Sequence, residues 1–475
     1  MDTLARLFRL HEKGASAATE FLAGTTTFIS LAYVISLIPN AFLKAAGIPP
    51  AQGFTAFVVC AILSTLIGAF YANLPIAFAS GIGLSAFFAF TVCAPAKSGG
   101  MGYTIQVALT ALLLEGVVFI FLSAMKVREA FMDAIPIALK KGISVGIGLF
   151  IAIIGFVDAG VTQVGLKIDA DKVLPTLQSD PAAVFGLHDV NNLFLAKFWD
   201  QGQLTPAFWS LVGLLLIAVL VARRVKGAIL LGILAITLAG LLPASLGGGF
   251  TKLPSGTLFQ LPAWPKMFQY DWSWAKSLGG VVNILIILFT LLFVDMFDTI
   301  GTLMGIGAQG KLLDKDGRFP GASKAFMADA VGTTAASMMG TTAVTAYIES
   351  ASGVAEGGKT GLTALTVAFW LTLALFLSPL FLMVPIQATA PALMMIGFFM
   401  LSEIREIPFD DISESVPAYL AVVVMPFTFS IVNGIAMGMI AFALLKVCTG
   451  RRRELHPLVA GLSIVFLLKL LFLSA

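Results

Sequence analysis

Charge is scarce in this chain. Only 12% of its 475 residues are Asp, Glu, Lys or Arg, against roughly 25% in a soluble globular protein. Histidine and cysteine are scarcer, three of each. His11, His188 and His456 fall at ends or in loops, which removes histidine proton relays and His-based metal sites. Cys60, Cys93 and Cys448 sit in or beside apolar runs without metal spacing, so neither a disulfide framework nor zinc is expected, and no cofactor is implied. Gly81-Ile82-Gly83 is not a phosphate loop on this reading, since no strand is expected before it and no Lys follows. Arg6, Arg9 and Lys13 open the chain, yet no small-residue cleavage site closes a short apolar region, so the first apolar segment is expected to remain. The net charge of +3 is small and gives no basis for nucleic-acid binding.

Apolar residues are abundant, at 58% of the chain. Runs such as 21–43, 54–70, 107–122, 207–222 and 362–381 approach the ~20 residues that cross a hydrocarbon core. They are apolar on every face, whereas a lipid-facing barrel strand alternates over ~10 residues. Membrane spans are expected near 21–43, 52–72, 75–94, 104–124, 131–157, 206–223, 226–246, 280–304, 324–340, 341–357, 360–383, 387–403, 415–432 and 433–448, fourteen in all. The fold class is thus an all-α integral membrane protein in the lipid bilayer. Leu455 to Leu473 is also apolar, but it contains Lys469 and follows a basic cluster, so an interfacial helix is preferred to a fifteenth span.

Short cytoplasmic loops collect Lys and Arg. With the N-terminus inside, the even-numbered spans end beside Lys126 and Arg128, Arg223, Arg224 and Lys226, Lys311, Lys315 and Arg318, Lys359, Arg405, and Arg451, Arg452 and Arg453, with Lys97 a lone exception outside. Asp158 to Gln203, carrying Asp169, Asp171, Asp180, Asp189 and Asp200, falls outside, as does Gly247 to Lys276. Thr205-Pro206-Ala207-Phe208-Trp209 before Lys226-Gly227 parallels Val416-Pro417-Ala418-Tyr419-Leu420 before Asn433-Gly434. Two halves of seven spans follow, and an odd number per half inverts one against the other.

An ionisable group at a helix centre costs at least ~2.5 kcal/mol in the membrane. Glu115, Asp295, Asp298 and Glu349 carry that cost without a Lys or Arg in their own spans. Such acids suit a proton, a sodium ion or a ligand that donates hydrogen bonds. Asp295 and Asp298 share one helix face at a spacing of three, and two close carboxyls rarely ionise together. Glu349 lies within a stretch rich in Thr, Ser and Gly, from Gly340 to Gly353, that reads as a broken helix lining a cavity. Gly81 to Phe90, with Gly83 and Ser85, breaks the third span in the same way, and two interrupted spans in corresponding positions point to a midplane site. Phe87, Phe88 and Tyr347 lie beside the breaks and could sandwich a flat ring. Glu115 reads mainly as structural, with Asp329, Glu356, Asp410, Asp411 and Glu414.

Phe293 to Thr302, Thr345 to Glu349 with the downstream Gly357-Gly358-Lys359-Thr360-Gly361, and Met425-Pro426-Phe427-Thr428 resemble signatures of the adenine, guanine and hypoxanthine permease branch of the nucleobase cation symporter-2 (nucleobase–ascorbate transporter) family. The resemblance covers nearly the whole chain. It implies two inverted seven-span repeats and short strands in spans 3 and 10. It also implies a core domain (1–130 and 279–384), a gate domain (131–278 and 385–450) and a tail with a hydrophobic helix (451–475). By the same resemblance a purine nucleobase is bound by Asp295 and Glu349, with Ser85, Tyr347, Phe87, Phe88 and Gly83 around it. Asp298, with Asp295 and Glu349, would couple import to protons, sodium being the weaker alternative. Ser85 departs from the Asn usual in the purine branch and offers fewer hydrogen bonds. A multi-pass bacterial inner-membrane protein with both ends of the bundle cytoplasmic is expected, and a homodimer is left open. The rival is an anion transporter or channel on the same architecture, which would need a cation or helix N-termini at the site. A membrane enzyme finds no nucleophile–base pair, metal cluster or cofactor fingerprint in the spans.

Overall fold

The computed structural model describes residues 2–95, 100–125, 136–164, 193–195, 198–200, 203–225, 227–243, 246–254, 256–310, 312, 319–428 and 430–472. Lys97, Lys126, Arg128, Lys226, Lys311, Lys315, Arg318, Asp169, Asp171, Asp180 and Asp189 of the charge argument lie outside the described residues. Helices in chain order are α1 Asp2–Leu7, α2 Ala17–Leu37, α3 Pro50–Ile67, α4 Ile82–Ala86, α5 Ile105–Met125, α6 Ile137–Asp158, α7 Pro206–Ala222, α8 Ala228–Ala239 and α9 Leu278–Gly310. They continue with α10 Ala322–Met339, α11 Ser350–Ala355, α12 Gly361–Phe376, α13 Ser378–Leu382, α14 Ile386–Leu401, α15 Ile412–Thr428, α16 Ile431–Cys448 and α17 Pro457–Phe472. Three two-stranded antiparallel pairs interrupt them: β1 Phe78–Ser80 with β6 Val344–Ala346, β2 Thr162–Val164 with β3 Leu193–Leu195, and β4 Trp199–Asp200 with β5 Gln203–Leu204. The molecule is therefore mostly helical rather than all-α. A strand does precede Gly81, contrary to the residue-level reading, and β1 and β6 lie in spans 3 and 10 as the resemblance implies.

Among the described residues seven helices are long and apolar enough to cross a membrane: Ala17–Leu43, Pro50–Ala72, Ile105–Ala124, Ile137–Asp158, Leu278–Ile300, Ile386–Glu406 and Ile431–Cys448. Six shorter apolar helices accompany them. The protein is a multi-pass membrane protein. One packing group is formed by α6 against α14 and α15, α15 against α16, and α7 and α8 against α14. In a second, α12 lies on α2 and α3, α10 lies on α3 and α5, and α9 lies on α5 and α11. Helix association inside lipid rests on close backbone approach through small residues. At Gly142 an added Cβ would come 2.7 Å from the Ala418 Cα, and at Gly116 it would come 2.5 Å from the Thr334 Oγ1.

Polar side chains tie the elements at their ends. Glu20, wholly buried, accepts hydrogen bonds from the backbone N–H groups of Lys359 (2.9 Å), Thr360 (3.2 Å) and Thr363 (3.2 Å), and from the Thr363 hydroxyl at 2.5 Å. The carboxylate of α2 thus caps the start of α12, where free N–H groups favour negative charge. Asn73, in the left-handed region at φ 51°, accepts from Gly361 N at 2.7 Å. Glu20→Ala strands these donors and should cost about 1–3 kcal/mol, read as a lowered unfolding midpoint in detergent.

At the α15–α16 end, Arg451 pairs with Asp411 (2.6 Å) and Glu454 (2.7 Å), and buried Lys446 pairs with Glu414 and Glu454, each at 2.7 Å. Hydrogen bonds from Arg451, then from Ser413, hold Asp411 at about 2, and Arg451, then Lys446, holds Glu454 at about 2. Both carboxyls are depressed, so their stabilisation is complete above the ordinary carboxylate range near ~4 and is lost as pH falls towards the folded value. Arg451→Gln should flatten the fall in thermal midpoint between pH 5 and 3 (roughly that window), a small effect because these charges are solvent-screened.

The C-terminal helix is held against the bundle. α17 packs along α16, the Ser463 hydroxyl donates to the Met439 carbonyl at 2.9 Å midway along that helix, and Phe466 meets Phe289 of α9 edge-on at 6.2 Å.

Candidate functional site

Two chain breaks meet where β1 and β6 pair. Phe78 lies opposite Ala346, Ala79 opposite Thr345 and Ser80 opposite Val344. Gly81 N donates to Ala343 O and Tyr347 N donates to Ala77 O, both at 2.9 Å. Non-helical backbone survives at membrane depth only where its polar groups are paired inside the protein, and here they are. The outer edges are closed by threonines. Thr65 of α3 bonds both N and O of Phe78 at 3.0 Å, and Thr333 of α10 bonds N and O of Val344 at 2.9 and 3.2 Å. The two breaks are therefore built alike, each a strand held by a threonine from the preceding helix and followed by a short helix, α4 or α11.

Acids gather on this platform. Glu349, half-buried at the start of α11, accepts a 2.5 Å hydrogen bond from the hydroxyl of buried Tyr33 in α2. Asp298 of α9 shares a hydrogen bond with Thr345 of β6 and lies in the field of Glu349. A Cβ placed on Gly81 would sit 3.5 Å from the Asp298 Oδ2. Asp298 is exposed although Met296 and Thr299 beside it are buried. Its accessible surface therefore lies beside the strand pair.

The other sequence-expected residues stand around this core. Asp295, one turn before Asp298, is wholly buried. Gly83 is partly accessible, and an added Cβ there would meet only Ile147 Cγ2 of α6 at 3.2 Å, so it faces the packing group that contains α6. Ser85 is buried and its hydroxyl bonds that of Thr342 at 2.6 Å. Tyr347 is buried with its hydroxyl donating to the Ser80 carbonyl. Phe87 and Phe88 are buried in the main apolar core, so none of the three rings offers an exposed face. The structure brings Asp298, Glu349 and the Gly81–Gly83 segment together beside the strand pair and buries Asp295, Ser85, Tyr347, Phe87 and Phe88.

Sequence reasoning missed Tyr33, Thr345 and Thr299. Tyr33 carried one signal, as a phenol in the middle of an apolar span that must find a partner when buried. Thr299 donates to Asp329 of α10 at 2.6 Å and its hydroxyl lies 2.8 Å from that of Thr345. Among the described residues no group of His, Cys, Asp and Glu could hold a metal ion. Neither strand, nor α4, nor α11, contains Lys or Arg. The platform is therefore a hydrogen-bond-accepting surface.

Known proteins share this sequence and this architecture. An Escherichia coli adenine permease, AdeQ, is 35% identical, with 99% of this chain and 97% of the relative covered. A Bacillus subtilis guanine/hypoxanthine permease, PbuO, is 36% identical, with 98% of this chain and 100% of the relative covered. The transmembrane domain of a cyanobacterial bicarbonate transporter, BicA, superimposes with a TM-score of 0.58 at 16% identity, over 89% of this chain and 97% of that one, which places the chain in the same fold. The model of a xanthine/uracil-type permease family matches residues 18–179 and 181–437. With that match across most of its length, the chain belongs to this permease family, that of the nucleobase–ascorbate transporters.

Proposed function

We propose that the protein imports purine nucleobases together with protons, by alternating access. The observation that carries the reading is the pair Asp298 and Glu349, both accessible beside the strand platform, with no cation on either broken segment. A neutral heterocycle leaves water at little cost when its N–H groups meet acceptors of this kind, and a site built to pair each donor rejects analogues that lack it. Glu349 and Asp298 face the base, with Asp295 one turn deeper as the acid reached when the cleft closes. Ser85, Tyr347, Phe87, Phe88 and Gly83 shape the pocket from behind and across it.

In this proposal the chain crosses the bacterial inner membrane fourteen times in two inverted halves, with both ends of the bundle cytoplasmic. The packing group of α2, α3, α5 and α9 to α12 acts as the core. That of α6 to α8 and α14 to α16 acts as the gate, and core moves against gate around the site. The permease names of the relatives favour purines over other cargo. An acid-lined cleft disfavours the anion cargo of the structural neighbour.

Uptake of labelled adenine, guanine and hypoxanthine into cells lacking their own purine permeases tests the proposal. Accumulation that collapses with a protonophore supports it, and uptake driven by sodium alone contradicts the coupling. Tyr33→Phe removes the donor that orients Glu349. It should weaken base affinity about 10–150-fold, from roughly 1.5–3 kcal/mol for a hydrogen bond to a charged group, measured by competition for uptake, with expression unchanged.

A further inference from the structure

The mechanism above leaves Glu115 of α5 and Asp329 of α10 unused, although both are wholly buried. Neither carboxyl oxygen of Glu115 has a hydrogen-bond partner among the described residues, and Glu115 lies in the field of Asp329. Two buried acids in each other's field rarely ionise together, because the neighbouring like charge and the low dielectric both oppose the second ionisation. Asp329 in turn accepts from Thr299, whose hydroxyl meets that of Thr345, which hydrogen-bonds Asp298 at the cleft.

We infer that Glu115 and Asp329 form an internal proton-holding site wired to the binding cleft through the hydroxyls of Thr299 and Thr345. With the Thr299 hydroxyl donating to Asp329 and Asp298 protonated, the chain runs from Asp298 towards Asp329. A proton on Asp298 passes to the Thr345 oxygen, the Thr345 proton passes to Thr299, and the Thr299 proton passes to the Asp329 carboxylate. Asp298 ends ionised and the acid pair ends with one more proton, so charge and atoms balance. Loading of the pair thereby frees Asp298 to accept from a ligand. The elements packed on α5 bring Asp329 and Lys324 from α10, Asp295 and Asp298 from α9, and Cys93 from the Phe87–Cys93 turn. Of these, Asp329 is the group whose charge acts on Glu115, while Lys324 lies over the Tyr71 ring. Asp298 itself feels Glu349 and Glu403.

The inference rests on the proposed base–proton symport, and two readouts separate their failures. Infrared difference spectra of the purified protein across a pH titration should show a protonated-carboxyl band at neutral pH that disappears in Glu115→Gln; an unchanged band overturns the inference whatever the cargo. In proteoliposomes with an inward proton gradient, Thr299→Val should keep purine-base binding within about threefold of wild type while concentrative uptake falls at least tenfold, and Thr299→Ser should restore it (about 1.4 kcal/mol per tenfold). Concentrative uptake by Thr299→Val at the wild-type level, or a serine variant as defective as the valine one, overturns the wire. Wild-type protein that binds no purine base in the same assay refutes the transport reading, and the infrared band then decides the inference alone.

Discussion

Glu349→Gln is expected to reduce purine-base uptake by about 100-fold or more at unchanged expression, with Asp298→Asn close behind. Each hydrogen bond from a ligand N–H to a buried charged acceptor is worth roughly 1.5–3 kcal/mol. A glutamine presents one acceptor and one donor where the carboxylate presents two acceptors, so one bond is lost and one ligand donor faces an N–H group. The Tyr33 hydroxyl, 2.5 Å from Glu349 Oε1, then loses its charged partner too. Uptake of labelled base into cells, normalised to protein in the membrane, checks the result. Variants that transport at the wild-type rate would remove both acids from the site.

The largest effect on stability is expected at Gly361→Leu. A Cβ on this residue would lie 2.1 Å from the Ala69 carbonyl oxygen and 2.8 Å from its carbon. These are backbone atoms, so no rotamer change relieves the clash and α12 must move away from the end of α3. Overpacking of this kind costs about 1–3 kcal/mol, and here it also pulls the α12 N-terminus off Glu20 and Asn73. A loss of about 3 kcal/mol or more follows, read as a lowered unfolding midpoint and low yield in detergent. Gly14→Ala, where nothing lies within 4 Å of the new Cβ, is the contrast, its small cost coming from φ +57° alone.

Much of this architecture was legible as spacing and composition. Acids in apolar runs without cations marked the site, and the Gly, Ser and Thr content around Gly81 and from Gly340 to Gly353 marked the broken segments that pair as β1 and β6. The strand before Gly81 escaped the residue-level reading because three residues carry no periodicity. The 324–340 segment, expected as a span, forms α10, which is not among the seven crossing helices of the described residues, its Ala, Gly, Thr and Ser content with Lys324 and Asp329 making it less apolar. The different settings of Asp295 and Asp298 were not legible. Residues three apart on a 3.6-residue helix differ by roughly 60° in direction, enough for one carboxyl to reach the cleft while the other stays behind it. Tyr33 and Glu349 are 316 positions apart in the chain, and a partnership across that distance leaves no local pattern. Gly357 to Gly361 was read as a family signature, and its physical role, a cradle of N–H groups for the Glu20 carboxylate, needed the fold.

Uncharged purines held by the acids of the β1–β6 platform are the central claim, and calorimetric titration of the purified protein with adenine, guanine and hypoxanthine tests it most directly. At least one base should bind at a single site in wild-type protein and show no heat of binding in the Glu349→Gln, Asp298→Asn double variant. Binding that survives intact in the double variant, or a folded wild-type protein that binds none of the three, would contradict it.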